Sequence, residues 1–531
     1  MAVEECPAHE ITLDGKNMTV DAVAKIARYG AKVRIAPEAW GKAEKSHAVL
    51  RNQIAGACGN LAKGDETSGK IYGLTTGVGG NKTQSINRSR SGEFNKNMLR
   101  AHCLSVGDEL PQEAIRAAMA VRLSNLLIGT SGMQPVLVRR FADFLNLGIH
   151  PIVRAQGSVG DADIAMMSHI GLAMLGEGEV IVRGERVSAR KALSEAGLAP
   201  IEPDLKDGLS LVSTNGISTG MAALLTRDLR RFADIADLVY ALSMEGLCSN
   251  TFGIDKRGVR ERRFAGTLRS IDLVSNYLKG SYLFTRVPDD DPTFRDTISY
   301  GNATHIHGAL RDALEFAERQ LGIQLISSED HPGILIDENT VIPTGNYESL
   351  MWVQCYEFLA ITMSHVSRMS AYRTTRLNTR AFTGLPDFLL SNRAREMNMH
   401  GLAVAEKVAS SVDAETRHLA NPASCDYYPL ASDREDHGCN APYVILKLKR
   451  ILENAYMILA IESLHAAQAV DLRLDASLGA ATGVLHSELR KKAEFIELDR
   501  ELSGDLASIA GLLRSDELFE LIQKSIGGVS R

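Results

Sequence analysis

The chain has 531 residues, of which 45% are hydrophobic and 23% charged, with a formal net charge of −6. That length can bury more than one core, and the composition is that of a globular protein rather than a disordered or fibrous one. The negative balance, with no basic stripe interleaved with aromatics, excludes an electrostatic case for nucleic-acid binding, and no uncharged apolar run is long enough for a membrane span.

In chain order, Met1 to Thr12 are polar and acidic, unlike a signal peptide. Short strands are expected around Glu10–Val20 and Val180–Val182. Pro111 opens a helix in which Ile115, Met119, Leu123 and Leu126 recur every three or four residues, with Gly129 near its end. Residues 219–247 read as a second long helix. From Ser349 to about Tyr372 apolar residues occupy nearly every face, as in a helix at the centre of a bundle. Pro442 starts a run from Tyr443 to about Leu474 without Gly or Pro, a helix of roughly 45–50 Å at 1.5 Å per residue. These lengths predict a mainly α fold, an elongated central bundle of long helices, rather than a doubly wound sheet. A soft boundary near residue 215 separates a mixed N-terminal region, 1–215, from a helical remainder, 216–531. Loops rich in turn residues interrupt the pattern at 73–82, 154–163, 286–304 and 421–441. Unusual polar residues gather there, where a rigid scaffold commonly presents chemistry.

The seven cysteines are scattered and never form a C-x-x-C pair. Reduced thiols in a cytoplasmic protein are therefore expected, not a disulfide framework or zinc ribbon. His305-x-His307 lacks the flanking carboxylate–histidine spacing of a metal site, so no metal is expected. Gly77, Gly79 and Gly80 follow Tyr72 without forming the G-x-G-x-x-G dinucleotide fingerprint. Taken singly, Tyr72 reads as a turn anchor, His102 as a helix histidine and Arg295 as a surface arginine.

Their order along the chain says more. Gly157-Ser158-Val159-Gly160-Asp161-Ala162-Asp163-Ile164, with Tyr72-Gly73-Leu74-Thr75-Thr76-Gly77 and Asn215-Gly216, resembles the histidine and aromatic amino-acid ammonia-lyase family. The resemblance implies a small-molecule substrate and a homotetramer whose active sites are built by several subunits. It makes Tyr72 the general base and His102 a reader of the substrate ring, favouring an imidazole. It makes Arg295 the grip on the substrate carboxylate, which a planar guanidinium can hold with two parallel hydrogen bonds. Asn215, Asn346 and Tyr347 match substrate-binding positions, and Glu415 a catalytic one ahead of Asn421-Pro422-Ala423-Ser424 and Glu435-Asp436-His437. Two departures stand out. The family's tyrosine in the Arg295 loop is absent, with nearby Tyr300 as its expected substitute, and Glu348 replaces a histidine after the aromatic. A free tyrosine ionises near pH 10, so a phenolate at neutral pH costs about 4 kcal/mol. A cationic substrate and positive helix ends are expected to supply part of that.

The largest departure is in the first loop. Family members carry Ala-Ser-Gly there, which cyclises into an electrophilic methylidene-imidazolone that activates the amine leaving group. This sequence contains no Ala-Ser-Gly. Aligned backwards from Ser168-His169-Ile170, Gly160-Asp161-Ala162 lie in its place; aligned forwards from Gly157, the loop is one residue short. No cofactor is expected. The simplest surviving chemistry uses a nitrogen that is permanently quaternised: Tyr72 removes a Cβ proton and trimethylamine leaves Cα. Within the superfamily this is the logic of ergothionases, which convert ergothioneine to thiourocanate. Asp161 and Asp163 are expected to attract the quaternary cation, favouring binding and orientation; Asp163 also matches an ordinary family aspartate, which leaves a structural role open, and Asp161 is the more unusual residue. Aromatics add about 0.5–2 kcal/mol of cation–π attraction. An ammonia-lyase or aminomutase of histidine or tyrosine type, or a non-catalytic homologue, remain as alternatives.

Overall fold

A computed structural model describes residues 10–61, 70–285, 296–473 and 476–527. The main helices are α1 (Ser91–His102), α2 (Gln112–Leu126), α3 (Ile164–Met174), α4 (Gly216–Leu247), α5 (Ala303–Leu325), α6 (Leu350–Leu377), α7 (Ala405–Leu419) and α8 (Ala441–Leu472). The four helices read from periodicity are thus present as α2, α4, α6 and α8, and the protein is mainly α. No helix among the described residues is long and apolar enough to cross a membrane. Strands are short. Glu10–Leu13 pairs in parallel with Lys32–Ile35, and Glu179–Val182 lies between Ile149–Pro151 and Glu185–Ser188 in an antiparallel sheet. The N-terminal strand ends at Leu13, and a helix capped by the Thr19 hydroxyl begins at Val20.

The chain divides into two compact units. One contains residues 1–227, 317–356 and 422–446, and the other 228–316, 357–421 and 447–531. The first crossing between units lies inside α4, not near residue 215, and two later segments return to the first unit. Periodicity carries no information on such returns, because a helix pattern is the same on either side of a unit boundary.

In the first unit α2 is buried along almost its whole length, including Arg116 and Arg122. Ala117 and Ala118 let α4 approach closely: a Cβ on Gly220 would lie 2.7 Å from the Ala118 amide nitrogen. The α4 N-terminus is tied to the 157–163 loop. Asp163 Oδ2 accepts from Ser218 N–H at 2.8 Å and from the Ser218 hydroxyl at 2.9 Å, which satisfies a free donor of the helix's first turn.

The second unit packs apolar faces of the long helices around compensated charges. Arg373 and Glu462 are fully buried and paired at 2.5 Å. Asp237 accepts from His307 Nδ1 at 2.8 Å and from Arg311 at 2.7 Å.

Candidate active site

The first unit contains a cavity of about 580 Å³ lined by residues from seven separate stretches of the chain. The Tyr72 loop is closed by its own backbone: Gly77 N–H donates to Gln84 O at 2.8 Å, and Ile86 N–H to Thr75 O at 2.9 Å. Tyr72 points its hydroxyl oxygen at Gly79 N–H, which donates to it at 2.7 Å. Burial raises the Tyr72 pKa above its usual value, the Gly79 hydrogen bond opposes that, and Glu435 adds to the rise. The resting group is therefore a phenol with one donor already placed to stabilise its anion.

His102 is the last residue of α1 and also lines the cavity. Its Nδ1 lies 2.7 Å from Met98 O, so Nδ1 carries the proton and Nε2 keeps a lone pair for a ligand donor such as a ring N–H.

The 157–163 loop forms the opposite kind of wall. Gly160 has φ +103°, and a Cβ there would lie 2.8 Å from Cys439 Sγ and 2.9 Å from Asn440 N, so the position needs glycine. Asn440 N–H donates to Val159 O at 2.7 Å, and the Ser349 hydroxyl donates to Gly160 O at 2.8 Å. Held this way, the loop presents Asp161 to the cavity. Burial pushes the Asp161 carboxyl up to about 6, with Glu348 adding to the rise and His437 opposing it. One atom of each of Asp161, Glu348 and His437 lies within 4.8 Å of the others, and His437 Nδ1 pairs with Glu348 at 2.9 Å. This set has the donors to hold a divalent cation or to face an organic one, with Glu348 and His437 already in contact with each other. With Glu435 and Asp436 it gives the cavity an acidic wall of four carboxylates, while Lys82 and Arg434 also line the cavity.

The family's electrophile does not fit these residues. Its formation needs a serine side chain that loses water to become an exocyclic methylidene. Asp161 at that place has none, and its carboxylate is a charged group on the cavity wall.

The expected site residues separate into groups. Tyr72, His102, Asp161 and Tyr347 converge on the cavity. Asn215 is fully buried beside it and donates through Nδ2 to Tyr347 O at 2.8 Å, so it positions Tyr347. Asp163 is corrected from substrate ligand to helix cap: it is fully buried, bonded to Ser218, and burial raises its pKa to about 6. Two residues on from Asp161, it is turned away by the left-handed Ala162 between them, at φ +66°. Asn346 is exposed and is not among the cavity residues. Tyr300 is corrected too. It is buried in the second unit with its hydroxyl 2.9 Å from Ser243 Oγ, and burial drives its pKa far up, unlike a group poised for proton transfer. Glu415 lies in the second unit on α7, bonded to Arg450 at 3.1 Å and Asn454 at 2.9 Å. The Arg450 hydrogen bond lowers its pKa. Arg295 lies outside the described residues.

His331 was missed. It lines the cavity with its ring centroid 5.0 Å from that of Tyr72 and 5.6 Å from that of Tyr347. Nothing in Asp330-His331-Pro332 marks it in sequence, because Tyr72 lies far away along the chain and Tyr347 is brought back only by the hairpin between them.

The site and fold together define a carbon–nitrogen lyase scaffold, and comparison with known proteins agrees: residues 18–491 match the aromatic amino acid lyase family, to which this chain belongs. Among curated proteins, histidine ammonia-lyase of Caldanaerobacter subterraneus subsp. tengcongensis is 30% identical over 97% of this chain and 98% of its own length. Among solved structures, ergothionase from Treponema denticola in complex with desmethyl-ergothioneine sulfonic acid is 32% identical. Its TM-score is 0.90, with 96% of this chain and 99% of that one covered. Tyrosine aminomutase from Streptomyces globisporus is 27% identical with a TM-score of 0.88, covering 97% and 99%.

Proposed function

We propose that this chain is a lyase that works without the family electrophile, eliminating trimethylamine from an imidazole betaine and converting ergothioneine to thiourocanate. The observation that carries this reading is Asp161, a carboxylate on the wall of the cavity that also holds Tyr72 and His102. A carboxylate cannot activate a primary amine by bonding to it, but it attracts a permanent cation. Likeness to the Treponema denticola ergothionase, at 32% identity, supports the same reading.

In the proposed step the Tyr72 phenolate takes a proton from Cβ. The C–H electron pair becomes the second bond between Cα and Cβ, and the Cα–N pair leaves with neutral trimethylamine. Tyr72 is left as a phenol and returns its proton to solvent. The incoming ammonium and Gly79 N–H both favour the phenolate that burial disfavours. His102 Nε2 accepts from the imidazole N–H. Arg295 grips the carboxylate, and Glu415 acts in the site of a neighbouring subunit of a cytoplasmic homotetramer.

The test is incubation with ergothioneine: trimethylamine and a conjugated ring acid should form, detected by mass spectrometry and absorbance. Intact mass should equal the unmodified sequence, and borohydride should leave activity unchanged. The histidine ammonia-lyase relatives favour a second reading, in which histidine is the substrate. Ammonia released from histidine as fast as trimethylamine from betaine would establish that reading instead.

A further inference from the structure

His331 is held more firmly than a cavity-lining residue needs to be. The hairpin formed by Gly333–Leu335 and Thr340–Ile342 brings Thr344 back beside it. Thr344 N–H then donates to His331 Nδ1 at 3.1 Å, while the Thr344 hydroxyl donates to Asp330 O at 2.6 Å. On one side Asp330 is paired with buried Arg122 at 2.8 Å. On the other, Lys206 Nζ donates to Pro332 O at 2.7 Å. The ring is thereby fixed in place and in tautomer. Nδ1 is occupied as an acceptor, so Nε2 carries the proton and is the nitrogen left for a ligand. Burial lowers the His331 pKa, which keeps the ring neutral.

Its neighbours define what that donor meets. Two rings pack against it: Tyr72, the base that must reach Cβ, and Tyr347, adjacent in sequence to Glu348 of the acidic wall proposed to attract the nitrogen on Cα. A group in contact with both the base for Cβ and the neighbour of that attractor lies close to Cα. The remaining polar substituent of Cα is the carboxylate. We propose that His331 is a specificity-determining residue of this site, its Nε2–H donating a hydrogen bond to the substrate carboxylate and holding Cα between Tyr72 and the acidic wall. The inference rests on the reading of Tyr72 as the base. Its neutral N–H adds to the grip proposed for Arg295 without placing a second fixed cation near the quaternary nitrogen.

The experiment measures binding rather than turnover, so that it is separable from the proposed reaction. Wild type, His331→Phe and His331→Gln are titrated with imidazole-4-acrylate and with 4-vinylimidazole, the same ring without the carboxylate. Phenylalanine keeps the ring packing against both tyrosines and removes the donor, whereas glutamine restores an N–H at a similar reach. His331→Phe should weaken imidazole-4-acrylate roughly tenfold or more, the weight of one hydrogen bond to a charged group. It should leave 4-vinylimidazole within about twofold, and His331→Gln should recover most of the loss. Equal weakening of both ligands, no weakening of the acid, or no binding of the acid to wild type would each overturn the inference. Wild type that binds as expected but releases no trimethylamine from ergothioneine would instead sink the proposed reaction and leave the carboxylate contact standing.

Discussion

The cavity of the first unit and the polar core of the second are built from the same residue types and differ in compensation. In the second unit Arg373 meets Glu462, His307 and Arg311 meet Asp237, and the Tyr300 hydroxyl meets Ser243. In the first, Tyr72 has a single backbone donor, His102 and His331 each keep one ring nitrogen for a ligand, and one Asp161 carboxylate oxygen has no partner. Buried charges paired with one another specify structure even where an atom such as His307 Nε2 keeps no partner, whereas polar groups left half-satisfied around a cavity are poised for a ligand.

The largest expected effect breaks the cavity alone. Tyr72→Phe should lower kcat by about 10³-fold or more while changing ligand affinity little, since it removes the proposed base and keeps the ring. Single-turnover kinetics and a binding titration together check both halves. Arg373→Leu should do the opposite. It leaves Glu462 buried without its partner, at a cost of about 3–5 kcal/mol of stability in denaturant unfolding, with the folded fraction still binding ligand.

Asp161 sharpens the comparison through pH. Its carboxyl titrates at about 6, so the charged form that attracts a cation is present above that pH and lost below it. KM for the betaine should rise as pH falls through about 6. Asp161→Asn should raise KM several-fold at pH 8 and flatten that limb, as for one partly solvated ion contact. A pH–KM profile unchanged by the substitution would remove Asp161 from substrate binding. The smallest effect belongs to Tyr300→Phe. It should cost about 1 kcal/mol of stability for one lost hydrogen bond and leave kcat intact, separating this tyrosine from Tyr72.

Much of this was legible along the chain. Helices α2, α4, α6 and α8 follow from local periodicity, which survives any tertiary arrangement. The family and the loop that lost its tripeptide follow from residues contiguous in sequence. Tyr72, His102, Asp161 and Tyr347 were identified because each carries a local motif.

Direction and company were decided only by the tertiary structure. Asp161 and Asp163 are two residues apart and equally acidic, yet the left-handed turn at Ala162 sends one to the cavity and the other beneath the first turn of α4. Tyr300 follows the Arg295 loop closely in sequence, but its side chain is committed to Ser243, both lying in the second unit. His331 carries no motif at all. Its meaning comes from Tyr72 and from the stretch holding Thr344 and Tyr347, which the fold brings to it from two other places in the chain. Sequence spacing fixes a residue's distance along the backbone, whereas protonation, tautomer and charge compensation depend on neighbours within a few ångströms, and those are chosen by packing.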